Sequence, residues 1–368
     1  MKSEIGPALR LPLLAAGFVA LALGVGAGLA RMGWAFALPD PRLTAWHGEL
    51  MIAGFFGTVI SLERAVALGA RWAYAAPIAA ALGALALVAA LPLAAMLFFV
   101  AASLGLVAAS LAIFLRQRAL FTLVLALGAS CWTAGNLLWF GGSGTSGATP
   151  WWIGFLVLTI AGERLELSRL LPPSPFARKA FAAIVAAILG SLVAAFAFPL
   201  AGPVAQAAAL VALALWLARQ DIARRTVRER GLTRFVAICL LSGYAWLGAG
   251  AAILLVDGVL PAPWARDAGL HAILLGFVFS MVLGHAPIIF PAVTRASIPY
   301  HWTFYVPLAL LQLSLAVRTA GDFAEVADWR RVGGMTNAAA LLLFVLGTVA
   351  SVVRGKVASR GKRLDDRV

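Results

Sequence analysis

Four histidines, His47, His271, His285 and His301, are the side chains best suited to metal or proton chemistry in this sequence. Each lies in or beside a long apolar run, where an ionisable ring is costly and normally turns toward a protein interior. A lone histidine there is as readily a core residue bonded to a backbone carbonyl. Pairing separates the four. His47 and His271 each fall about four residues into an apolar run and so share one depth. Two imidazoles at one depth on two inner helices can bind opposite faces of a planar iron macrocycle, as a bis-histidine haem requires. His271 and His285 are separated by about 21 Å along a continuous helix, so His285 belongs to another layer.

The elements that must carry these residues are apolar throughout. Of 368 residues, 62% are hydrophobic and 12% charged, with a mean hydropathy of +0.95. That balance excludes a water-soluble enzyme. Two cysteines, Cys131 and Cys239, cannot staple a chain of this length and read as small buried hydrophobes. No phosphate-binding loop, dinucleotide fingerprint or HExxH zinc motif is present. Stretches long enough to span predict twelve helices, at 11–33, 43–66, 72–92, 95–115, 119–140, 151–168, 179–199, 202–218, 234–256, 267–290, 302–320 and 332–353. Breakers separate them: Pro39 with Pro41, Pro92, the run Gly141 to Pro150, Pro172 with Pro173 and Pro175, Pro199 with Pro203, and Pro261 with Pro263. The apolar N-terminal stretch reads as the first span instead of a cleaved signal.

Positive charge sets the orientation. With both termini cytoplasmic, the inner segments hold most of the 29 lysines and arginines, from Lys2 and Arg169 to Arg367. Only Arg31, Arg42, Arg266, Arg318, Arg330 and Arg331 fall outside. The net charge of +14 is therefore topology and contact with anionic lipid, not a nucleic-acid footprint. Trp34, Trp46, Trp139, Trp151, Trp152 and Trp264 fall at predicted outer boundaries, as interfacial anchors would.

An internal pattern runs through the second, sixth and tenth spans. Gly54-Phe55 is followed eight residues after the phenylalanine by Glu63-Arg64, Gly154-Phe155 by Glu163-Arg164, and Gly276-Phe277 by His285. The expected architecture is one all-α integral membrane domain over residues 1–368: twelve transmembrane helices in three pseudo-symmetric four-helix units, at about 1–115, 116–218 and 219–368.

The stretch Trp46-His47-Gly48-Glu49-Leu50-Met51-Ile52-Ala53-Gly54-Phe55, together with His271-Ala272, Gly276, Met281 and Thr294-Arg295-Ala296-Ser297, resembles the NnrS family. That family in turn resembles the twelve-helix subunit I of haem-copper oxidases, whose second and tenth helices supply the ligands of a low-spin haem. The resemblance implies a bacterial cytoplasmic-membrane protein with a haem, most simply b-type, on His47 and His271. It implies a role in nitric oxide response or in electron transfer and haem-copper metabolism, with nitric oxide or a redox partner as its counterpart. Where the family tends to have a second histidine two positions after the first, this chain has Glu49, which argues against a copper site. A complete oxygen- or nitric-oxide-reducing centre needs two histidines for one haem, one for a second and three for copper, more than the four present.

Glu63, Glu163 and His285 occupy equivalent positions and form a candidate second site for metal or proton relay. The competing reading is that each glutamate neutralises an arginine at a helix end, that Pro287 and Pro291 fray the tenth span after His285, and that His301 caps the next helix. Glu49, half a turn below His47, either orients that ring or faces water. Arg42 and Arg266, with Arg31, are the outer arginines expected to face haem propionates. A cofactor-free secondary transporter and an assembly subunit of a respiratory complex are the alternative functions.

Overall fold

The computed structural model describes residues 5–35, 38–167, 173–294 and 298–365. Lys2, Arg169, Pro172, Arg295, Ala296, Ser297 and Arg367 lie outside the described residues. Within these bounds every regular element is helical, and 11 helical segments are long and apolar enough to cross a membrane. They are α1 (Pro7–Arg31), α2 (Pro41–Leu68), α3 (Arg71–Val88), α4 (Pro92–Arg116), α5 (Leu120–Leu167), α6 (Pro175–Ala194), α7 (Ala201–Gln220), α8 (Gly231–Val259), α9 (Ala265–Pro291), α10 (Trp302–Phe323) and α11 (Ala327–Arg354). The chain is thus an all-helical, multi-pass membrane protein.

The face pattern of α4 shows why. Ala95, Phe99, Ala102, Leu106 and Ala109 are buried, while Leu93, Leu97, Leu104 and Leu111 are exposed, each set at helical spacing. In water the exposed stripe would be a liability, whereas lipid is its natural solvent. Helix association in lipid gains little from apolar burial and relies on close packing over small residues. Alanine and glycine accordingly line the contacts throughout.

The chain divides into two compact units, Met1–Arg169 and Leu170–Val368, the first holding α1 to α5 and the second α6 to α11. This boundary falls inside the middle of the three segments anticipated above. In the first unit, α5 is 48 residues long because the fifth and sixth predicted spans join. The chain reverses at Gly142 (φ +90°) and Gly144 (φ +66°), left-handed conformations that glycine adopts without strain. The arms Leu120–Leu138 and Gly144–Leu167 then pack on each other, with Trp132 stacked on Phe155 at 5.1 Å. The reversal is tighter than the breaker run implied, and Pro150 lies inside the second arm.

Pro92 starts α4, as expected. Three expectations need correction. Trp139 and Trp152 are not interfacial anchors: both are buried in the first unit, and Trp152 Nε1 donates to Asn136 Oδ1 at 3.0 Å, which satisfies the indole without a water boundary. The span expected to reach residue 199 ends at Ala194, so that Pro199 lies in the break and Pro203 within the first turn of α7. Finally, Pro287 and Pro291 do not end the helix, which runs from Ser280 to Thr294 through both, as prolines in membrane helices can when neighbours satisfy the freed carbonyls. Cys131 and Cys239 are buried free thiols.

Candidate functional site

Both flagged histidines stand at the entrance of a helix with unusual backbone. His47 opens the helical turn of α2, and the next segment, Leu50–Phe56, is π-helical. His271 ends the first helical stretch of α9, and Ala272–Phe279 is again π-helical. Hydrogen bonding from i to i+5 is rare, and its single turns concentrate at functional sites. Each segment also holds the Gly-Phe marker, Gly54-Phe55 or Gly276-Phe277.

In the first unit, His47 rests on α1. Its Nδ1 lies 2.6 Å from the carbonyl oxygen of Gly24. A carbonyl only accepts, so Nδ1 carries the proton and, in the neutral ring, Nε2 carries the lone pair. Gly28 makes the approach possible: a Cβ there would fall 2.8–2.9 Å from the imidazole. Glu49 lies one side of the same turn and is 1% exposed. Thr145, at the tip of α5, donates its hydroxyl to Glu49 Oε1 at 2.5 Å, while Oε2 has no hydrogen-bond partner. Glu49 therefore points into the protein, not into water.

In the second unit, His271 is held by a backbone carbonyl within its own helix and by charge. Its Nδ1 lies 2.9 Å from the Asp267 carbonyl and 3.3 Å from Asp267 Oδ1. Arg318 Nη2, on α10, reaches Asp267 Oδ2 at 2.9 Å and His271 Nε2 at 3.2 Å. A guanidinium only donates, so it too assigns the proton to Nδ1 and the lone pair to Nε2 in the neutral ring. Arg330, at the start of α11, extends the cluster to Asp267 Oδ2 (3.6 Å) and Asp322 Oδ1 (3.2 Å). Asp322 is 3% exposed, and its oxygens and Arg318 Nε make no hydrogen bond.

The arginines expected beside a haem are placed differently. Arg42 is exposed and bound to Asp40 through contacts as short as 2.6 Å. That guanidinium, through its side-chain bond first, holds the Asp40 carboxyl below its ordinary value of 3.8. Arg266 is exposed at the start of α9. Among the described residues the cation that reaches one of these imidazoles is Arg318, which the sequence placed only among the outer positive charges. Its signal was an arginine and an aspartate, Arg318 and Asp322, four residues apart inside an apolar run.

The second layer resolves into ordinary contacts. Arg64 Nη2 lies 3.6 Å from Glu163 Oε1, so the repeated Glu-Arg pairs meet across helices of the first unit. His285 Nδ1 lies 2.7 Å from the Met281 carbonyl, a local bond within its own helix. Among the described residues no group of three or more His, Cys, Asp or Glu side chains could hold a metal ion. Of the residues expected to form a second site, Glu163 faces the guanidinium of Arg64 and His285 bonds within its own helix. His301 caps its helix as expected, its Nδ1 accepting from the Thr303 N–H at 3.3 Å.

A haem iron needs only two protein ligands, each a nitrogen lone pair. In both His47 and His271 the Nδ1–H is engaged by an oxygen acceptor, which puts the lone pair such a ligand would use on Nε2. On His271 that lone pair accepts from Arg318. No curated protein and no solved structure matches this chain. A family model described as Domain of unknown function (DUF8744) matches residues 10–353, and the chain belongs to that family.

Proposed function

We propose that the protein is a membrane haem protein of the kind its NnrS-like residues imply, with His47 and His271 as iron ligands near the outer face of a bacterial cytoplasmic membrane. In this reading the two arms of α5 count as separate spans, giving twelve helices in three four-helix units with cytoplasmic termini. The observation that carries it is the shared setting of the two rings: each sits beside a π-helical segment, and each has Nδ1 engaged by an oxygen, which puts the neutral ring's lone pair on Nε2, where on His271 a bound iron would take the place of Arg318. Haem iron, when bound, would supply one-electron chemistry, in exchange with a redox partner or in response to nitric oxide. The chain's own contribution is orientation. Gly24 and Gly28 seat one ring, Asp267 anchors the other, and Arg318 places a fixed positive charge beside it.

The test is the absorption spectrum, oxidised and reduced, of detergent-purified full-length protein from haem-supplied cells. We expect a low-spin haem spectrum that carbon monoxide does not change. Colourless, iron-free protein overturns the proposal. A Soret shift with carbon monoxide would instead assign one open iron position, suited to nitric oxide.

A second reading, a secondary transporter, is favoured by the buried carboxylates of Glu49 and Asp322, whose oxygens Oε2 of Glu49 and both of Asp322 make no hydrogen bond. Such groups mark ion and proton paths in membrane proteins. Colourless protein that carries a proton-coupled flux in vesicles, lost in Glu49→Gln, would select this reading.

A further inference from the structure

The second unit contains a polar cavity of about 430 Å³ with no histidine in its described lining, within the roughly 300–1,000 Å³ range of small-ligand sites. It forms where α7 ends and the chain turns through the short helix Ala223–Thr226. Arg219, Arg224, Arg225 and Arg228 line it, with Asp221 as the single carboxylate in the lining.

Asp221 is used by the fold. Its Oδ1 accepts the Ala223 N–H at 2.7 Å, its Oδ2 accepts the Tyr244 hydroxyl of α8 at 2.7 Å, and the residue is 7% exposed. This buried anchor fixes the turn from which Arg224, Arg225 and Arg228 project, so the arginines surround the cavity by construction. Arg224 donates to the Arg219 carbonyl at 3.2 Å. Among the described residues Arg219, Arg225 and Arg228 make no ion pair or hydrogen bond to a side chain. Several guanidinium groups around one space repel each other unless an anion enters it. Their planar forks match phosphate oxygens two at a time, and basic pockets between membrane helices take phosphate head groups.

We propose that this cavity binds a phosphate-bearing anion with at least two negative charges. A lipid head group with two phosphodiesters and free pyrophosphate share that chemistry. The site is independent of haem binding and stands or falls separately.

Full-length protein in neutral detergent is titrated with cardiolipin, phosphatidylcholine or inorganic pyrophosphate while thermal unfolding is followed. Arg225→Gln/Arg228→Gln and, as a charge control, Arg118→Gln are measured in parallel. A ligand that binds only the folded state raises Tm by mass action. We expect a rise with cardiolipin or pyrophosphate and none with phosphatidylcholine. Apparent affinity should fall at least tenfold in the double variant, stay unchanged in Arg118→Gln and weaken as salt is raised. A rise with cardiolipin alone assigns a lipid head group, whereas a rise with pyrophosphate assigns a soluble ligand. No rise with either anion, an equal rise with phosphatidylcholine, or an unaltered response in the double variant overturns the proposal.

Discussion

The helix ends at His47 and His271 both engage Nδ1 of the ring with an oxygen but stand in different surroundings. His47 is held by a backbone carbonyl on a glycine-lined neighbouring helix, and its nearby carboxylate, Glu49, bonds a threonine hydroxyl. His271 sits in a network of Asp267, Arg318, Asp322 and Arg330 drawn from three helices. Backbone seating depends on fit and is indifferent to charge. Charge seating tolerates small displacements but fails when one partner is lost, because an uncompensated buried charge remains. The two ends should therefore break under different substitutions.

The largest effect is expected in the charged end. Arg318→Met removes the guanidinium shared by Asp267 and His271. It should destabilise the protein by about 3 kcal/mol, the low end for breaking a buried pair, because the Asp267 side chain is 33% exposed and keeps Arg330 as a partner, read as thermal unfolding in detergent. Adding Asp267→Asn should recover part of that loss. A cost below about 1 kcal/mol, as for surface pairs, would show that the network is not what holds this helix end.

Next come the seats made of glycine. Gly28→Ala places a methyl group 2.8–2.9 Å from the His47 ring, and Gly250→Ala places one 2.8 Å from the Gly269 carbonyl on α9. Both should cost about 1–3 kcal/mol by overpacking. Gly250→Ala should cost more, because backbone yields less than a ring. Equal stability of Gly28→Ala and wild type would remove the tight seat proposed for His47.

A smaller effect belongs to Thr145→Val, which keeps the shape and removes the hydroxyl that bonds Glu49. About 0.5–1.5 kcal/mol is expected, again from thermal unfolding, with no change at the His271 end. The smallest belongs to Arg42→Ala on the exposed loop. No change in Tm is expected at neutral pH, and the Asp40 carboxyl should rise to its ordinary value of 3.8, read by NMR titration. The sign follows from its depressed value: any stability from this pair is present above that ordinary value and fades as pH falls through the lowered one.

Apolar run length made most spans legible, and Pro92 marked a boundary because proline suits a first helical turn. The histidines were legible as ionisable outliers in apolar surroundings. The π-helical turns after His47 and His271 were not, since their residues have ordinary helical propensity and the altered hydrogen bonding depends on neighbouring helices. Arg318 was missed for a related reason: its partners lie about fifty residues away in sequence, and charge near a span end looks like loop charge until the fold brings it inward. Trp152 was misread because an indole satisfied by Asn136 and one satisfied at a water boundary share the same sequence signal.

We propose that both rings serve one haem. This is tested most directly by the haem content of His47→Ala and His271→Ala, each purified at full length beside wild type and checked for monodispersity. The account predicts that both variants lose the pigment together while remaining folded. Full haem retained by either folded variant would contradict it.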